Sequence, residues 1–285
     1  MKVLFRIIVN EYCISFSMFT IRDSQEKMNI VLFEKKELID NYLILTDYRA
    51  KHIVKVLRSS VGTSIRVGQI NGETGTGTIV AIKTKYPFVV ELQVALTDSP
   101  PAFPEIDLLL ALPRPIMLKR ILSQVTALGV GRMFLINANR VEKSFWDAGI
   151  VLESEYRPHL IHGLEQAVDT QLPEIEIHPH FRQFIEEYLP TILPEYGSQL
   201  IAHPHVNNSL SECLSGNRGR VLYAIGPEGG WLDFEVDTFR DAGFISFTMG
   251  TRILKVDTAV VSVHSRIAHV LEKTNFIDEN LLNVM

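Results

Sequence analysis

Short apolar runs separated by glycine, proline and charge dominate the chain, and the period inside each run predicts its element. Residues 29–33 read as an opening strand. Residues 49–58 place Ile53, Val56 and Leu57 on one helical face and Lys51, Lys55 and Arg58 on another, an amphipathic basic helix. Residues 64–70, the turn signal Asn71-Gly72, and residues 75–82 and 88–96 carry the punctuation of a small β-barrel or meander. Three prolines between Asp98 and Pro104 predict a stiff linker, and a second domain begins beyond it. There, strand-like runs at 106–112, 133–136, 174–177, 199–202, 221–224 and 244–248 alternate with helical spacing at 116–128, 150–168, 181–189, 233–242 and 257–273. Such alternation predicts an α/β domain with a mainly parallel sheet. The expected organisation is an extension of unread role at 1–27, a barrel at 28–97 and an α/β domain at 105–273.

Charge sharpens the division. The chain of 285 residues carries a formal charge of −5 and 46% hydrophobic residues. Residues 44–85 hold seven Lys or Arg against two Asp or Glu, whereas residues 86–285 hold 15 against 25. A basic module attached to an acidic one suits RNA docking better than a uniformly basic protein would, because phosphate contacts need clustered cations. Two cysteines without metal-ligand spacing exclude a disulfide framework and point to a reducing, cytoplasmic setting. No apolar run approaches the roughly 18 residues of a spanning helix, so no membrane partner is expected. The start, residues 1–9, is faintly signal-like, but Arg6 interrupts the run and no small-residue cleavage site follows.

Candidate chemistry concentrates near the end. A buried-type strand runs into Ile225-Gly226-Pro227-Glu228-Gly229-Gly230, and the next strand runs into Met249-Gly250-Thr251-Arg252-Ile253-Leu254-Lys255-Val256-Asp257-Thr258-Ala259. Glycine lets a ligand approach the backbone, and Pro227 stiffens the turn. Loops at strand ends of an α/β sheet are where ligands bind. A tight turn without a ligand is the plain alternative for the first loop taken alone.

Taken together, the two loops resemble the SPOUT class of methyltransferases, and most closely the RsmE family, which methylates N3 of a uridine in small-subunit ribosomal RNA. The family pattern is matched with Met249, Lys255 and Asp257 standing for Leu, Arg and Glu. The resemblance implies a knotted parallel-sheet domain preceded by a PUA-like barrel, and a homodimer that binds ribosomal RNA or the small subunit. It also implies S-adenosyl-L-methionine held by His203, Pro204, Ile225, Gly226, Pro227, Glu228, Gly229, Met249, Gly250, Ile253, Leu254 and Ala259. Arg252 and Lys255 are the candidate cations for the developing uridinate, with Asp257 beside them. Glu228 and Asp257 are the carboxylates on the loops, and turn bracing or helix capping ranks above base catalysis for both. Arg49, Lys51, His52, Lys55, Arg58 and Arg140 are expected to face RNA.

Two departures from the family pattern stand out: Ala127 replaces Glu, and Asp169 replaces Arg. They keep open a silent RNA-binding assembly factor, or an enzyme with another RNA target. A Rossmann dinucleotide enzyme is disfavoured, because no G-x-G-x-x-G follows the first strand of the α/β domain. The pairs His178/His180 and His203/His205 have no further ligands at suitable spacing and read as turn structure rather than metal sites.

Overall fold

In the N-terminal part, strands alternate buried and exposed positions around one apolar layer, as a half-buried sheet requires. The computed structural model describes residues 29–204, 206–216 and 219–282, with side chains to residue 272. The extension predicted for residues 1–27, with Cys13, and His205 lie outside the described residues. Strands β1 (Val31–Phe33), β2 (Leu38–Ile39), β3 (Tyr42–Leu45), β4 (Ser64–Gln69), β5 (Thr74–Lys83) and β6 (Val89–Asp98) form one sheet in the order β1-β4-β5-β6-β3-β2. Only β1 and β4 pair in parallel; the remaining neighbours are antiparallel. Helix α1 (Tyr48–Lys55) lays Ala50, Ile53 and Val54 against Phe33, Leu43, Leu45, Val67 and Leu92.

The hairpin β2–β3 was not legible. Its turn residues Asp40 and Asn41 both have positive φ, 49° and 66°, the conformation of a primed hairpin turn. Asp and Asn tolerate that region through local hydrogen bonding, so the turn forms without the glycine that would have announced it. Helix α1 also stops earlier than expected. Val56 lies beyond its last turn and is 41% exposed, and Val54 takes the core place predicted for it.

The second sheet is wholly parallel, ordered β12-β10-β11-β7-β8-β9. Its strands are β7 (Ile106–Ala111), β8 (Arg132–Ile136), β9 (Glu174–His178), β10 (Tyr196–Ala202), β11 (Arg220–Ile225) and β12 (Ile245–Phe247). The central β7 is buried throughout, which explains an apolar run broken only by Asp107. Both faces of the sheet are covered. On one side lie α2 (Pro115–Ala127), α4 (Glu153–Ala167) and α9 (Val256–Leu282), together with the short α3 (Lys143–Trp146). On the other lie α5 (Phe181–Gln183), a π-helical turn Phe184–Tyr188, α6 (Leu189–Ile192) and α8 (Asp233–Asp241). The one-turn α7 (Leu210–Cys213) precedes β11. Pro115 opens α2 at a position where its missing N–H costs nothing.

Asp107, the polar interruption in β7, is fully buried. Its carboxylate accepts from Arg132 Nε at 3.0 Å, Arg220 Nη2 at 2.7 Å and the Tyr196 hydroxyl at 2.7 Å. The charge is therefore paired and hydrogen-bonded at the end of the sheet remote from the glycine loops, a structural role. A second buried polar group, His264 on α9, donates from Nε2 to the Leu128 carbonyl at 3.1 Å and accepts the Tyr223 hydroxyl at Nδ1, 3.2 Å away.

The two sheets are fastened together by polar contacts. Tyr48 Oη donates to Glu165 at 2.8 Å, Arg157 pairs with Glu34 at 2.5 Å, and the Thr170 hydroxyl donates to the Gly72 carbonyl at 2.7 Å. Burial raises the Glu165 carboxyl above its usual range. Among the described residues, no helix is long and apolar enough to cross a membrane.

Candidate active site

Three loops leave the C-terminal ends of neighbouring strands and meet. The first follows β10, the second follows β11 and the third follows β12. Their mutual hydrogen bonds fix the arrangement: His203 N donates to Phe247 O at 2.9 Å, and Thr248 N donates to Asn208 O at 3.0 Å. Within the third loop, the Thr248 hydroxyl accepts from Gly250 N at 3.2 Å. Between them lies a cavity of about 940 Å³. Volumes of this order are those of small-molecule and cofactor sites.

The second loop is held on both sides. Glu228 Oε1 accepts the backbone N–H of Arg114, 3.1 Å away, at the junction of β7 and α2. On the other flank the Arg140 guanidinium donates to the Gly229 carbonyl. Buried Glu235, in the first turn of α8, accepts from the backbone N–H groups of Leu232 and Asn139, both at 2.8 Å. The loop is thus preorganised by groups outside it. Gly226 lies against the Trp231 indole, where a Cβ would approach Nε1 and Cε2 to 3.0 Å. Gly250 has φ of 104°, a backbone state closed to most side chains.

The twelve residues expected to hold the cofactor all line this cavity: His203, Pro204, Ile225, Gly226, Pro227, Glu228, Gly229, Met249, Gly250, Ile253, Leu254 and Ala259. Arg252 and Lys255 line it as well, both exposed. Asp257 does not. It sits in the first turn of α9, and its carboxylate accepts from Thr258 N at 2.9 Å. The cap position expected for it belongs to Lys255, whose carbonyl accepts from Ala259 N at 2.8 Å.

The residues expected to face RNA do not share one surface. Lys51, Lys55 and Arg58 are exposed on and just after α1, and Lys55 Nζ stands 5.2 Å from the centroid of the Phe88 ring. Arg49 is a correction. It is buried, donating to Leu32 O at 2.7 Å and pairing with Glu37 at 2.5 Å and Asp47 at 2.8 Å, so it holds the barrel together. His52 is half-buried, and burial lowers its pKa, which favours the neutral ring. Arg140 is exposed away from α1, at the cavity, where its guanidinium donates to the Gly229 carbonyl.

Sequence reasoning missed Arg114, Met117, Trp231, Asp233 and Val263 among the lining residues. Arg114 carried a usable signal, a cation between two prolines directly after the strand predicted at 106–112. Trp231, directly after the glycine run, carried another. Met117 and Val263 repeat ordinary helical spacing and gave none. Among the described residues no group of three or more His, Cys, Asp or Glu could hold a metal ion. His178 packs instead between Phe184 and Tyr188, with centroids 4.7 and 4.5 Å away.

A family profile described as an RNA methyltransferase domain matches residues 100–268, and one described as an RNA methyltransferase PUA domain matches residues 45–92. The chain is similar to ribosomal RNA small subunit methyltransferase E of Treponema pallidum, with 36% identity over 236 residues, 81% of this chain and 87% of that protein. It is also similar to ribosomal RNA small subunit methyltransferase E 1 of Borreliella burgdorferi, with 26% identity over 243 residues, 82% and 95% of the two chains. Among solved structures, a ribosomal RNA small subunit methyltransferase E from Neisseria gonorrhoeae bound to S-adenosyl methionine shares the fold. Its TM-score is 0.69 at 19% identity, and the match covers 85% of this chain and 98% of that one.

Proposed function

The chain belongs to the ribosomal RNA small subunit methyltransferase E family, and from that membership and the cavity we propose that it transfers a methyl group from S-adenosyl-L-methionine to ribosomal RNA of the small subunit. The observation that carries this reading is the convergence of three strand-end loops on one cavity whose rim presents cations. The residues present fit the donor: Gly226 and Gly250 leave backbone bare of Cβ atoms, and Met249, Leu254 and Val263 supply apolar wall. When bound, the donor supplies an electrophilic sulfonium methyl. The names of the relatives support ribosomal RNA of the small subunit as target, and the loop motifs support N3 of a uridine.

The protein's own residues then have distinct tasks. Arg252 and Lys255 offer positive charge where the uridine oxygens become anionic as N3 loses its proton. Glu228 and Arg140 hold the second loop so that donor and base meet without further reorganisation. Lys51, Lys55 and Arg58 dock RNA on the PUA-like barrel at 28–97, and the domain at 105–273 performs the chemistry. We further infer the trefoil knot, a homodimer and a cytoplasmic setting, all carried by the resemblance.

Purified protein, labelled donor and small subunits from a strain lacking the enzyme, followed by mapping of the modified base, test the reading. Label at N3 of a single uridine is the expected result. Donor and RNA binding without transfer to any RNA would replace the reading with a silent binder.

A further inference from the structure

Arg114 stands at the cavity on a wall that neither glycine loop supplies. It follows the end of β7, between buried Pro113 and half-buried Pro115, so both neighbours restrict the backbone that carries it. Its own N–H is fixed to Glu228 Oε1. The side chain, by contrast, is hardly engaged. It is 63% exposed, and its ion-pair neighbour, Glu142, is 4.0 Å away and itself exposed. Two exposed charges at that distance hold each other weakly in water. A rigid mount with a free guanidinium at a cavity mouth is what recognition of an incoming anion needs, since little order is lost on binding.

Resting on the reading above, we propose that Arg114 contacts a phosphodiester of the RNA beside the target nucleotide and sets the register with which the base enters the cavity. Arg252 and Lys255 sit on the third loop and serve the base. Arg114 faces them from the opposite side of the sheet order, on the β7–α2 junction. Its planar fork matches two phosphate oxygens, which a single ammonium cannot do. Phosphate contacts fix register without reading sequence, so this is a positioning role.

The experiment uses the full chain with small ribosomal subunits, comparing wild type with Arg114→Ala and Arg114→Lys. The Glu228 brace engages the backbone of residue 114 and survives both changes. For Arg114→Ala, KM for subunits should rise about tenfold while donor affinity stays within twofold of wild type. The slope of log binding constant against log salt should become shallower by about one unit, as for one lost phosphate contact. Arg114→Lys should restore the salt slope and only part of the KM. An unchanged salt slope in Arg114→Ala overturns the proposal, as does a loss of donor affinity that leaves the subunit KM alone. Failure of the methyltransferase reading is separable, because subunit binding and its salt slope are measured without turnover.

Discussion

Acidification should destabilise this fold through one buried imidazole. His264, on α9, is fully buried against β11, and desolvation lowers its pKa from 6.5 to about 4 despite hydrogen bonding to the backbone of Leu128 and Gly129, which acts the other way. Nδ1 already accepts from Tyr223 and Nε2 donates to Leu128 O, so the neutral tautomer is the one that fits. At pH 7.5 folded and unfolded chains both carry a neutral ring, and the group contributes no pH dependence. Between pH 6.5 and 4 the unfolded chain takes up a proton that the folded chain refuses, so stability falls with pH. At 1.36 kcal/mol per pKa unit, the loss reaches about 2 kcal/mol at pH 5 and saturates near 3 kcal/mol below pH 4. Urea unfolding at pH 7.5, 6 and 5, at fixed protein concentration, should give this loss in wild type beyond that of His264→Gln. The glutamine can still donate to Leu128 O but cannot titrate. Parallel stability curves for the two proteins from pH 7.5 to 5 would refute the reasoning.

Three further outcomes follow from the site. Gly226→Val should abolish donor binding in calorimetric titration; Gly226→Ala should weaken it, and Gly226→Ala with Trp231→Phe should recover most of the loss, because the close contact is with the indole five-membered ring. If the double variant is no better than the single one, the indole is not the obstacle. Replacing Lys51, Lys55 and Arg58 with Ala should flatten the salt dependence of RNA binding by up to about three units with no change in melting, whereas Arg49→Ala should destabilise the fold by about 2–3 kcal/mol, since it strands the buried Leu32 carbonyl and the half-buried Glu37. Lys255→Ala should lower turnover about tenfold or more while donor affinity holds, and equal loss in both measurements would move Lys255 to the donor pocket.

The apolar spacing exposed most of the strands because burial selects it: β7 is buried along its whole length and β11 from Val221 on, and both read as apolar runs, with Asp107 the one polar position in them. Helix α2 was legible from Pro115 at its start and Gly129 after its end. Elements held by tertiary contacts were not. The π-helical turn at Phe184–Tyr188 is seated by its rings against Phe134 and His178, a packing invisible in a local window. The glycine loops at the cavity were legible because Gly230 and Gly250 hold positive φ and Pro227 stiffens its turn, requirements that a local window shows. Arg49 was misread for the opposite reason. A cation on an amphipathic helix looks exposed, and only the fold shows that Glu37 and Asp47 come to meet it.

The two departures from the family pattern acquire a place that bears on the choice between enzyme and silent binder. Asp169 follows α4, and its carboxylate accepts from the backbone N–H groups of Thr170 at 2.6 Å and Gln171 at 2.9 Å. That turn presents Thr170 to the barrel, where its carbonyl accepts from Asn71 N at 2.7 Å and its hydroxyl reaches Gly72 O. Here, then, the aspartate shapes the joint between the domains. Ala127 ends α2 at an exposed position. Neither residue lines the cavity, whereas the charge-preserving replacement Lys255 does. Both changes thus lie away from the cavity, while the cations that the proposed transfer uses stand at it, so neither change removes a group from the chemistry and the silent-binder reading loses the ground on which it stood.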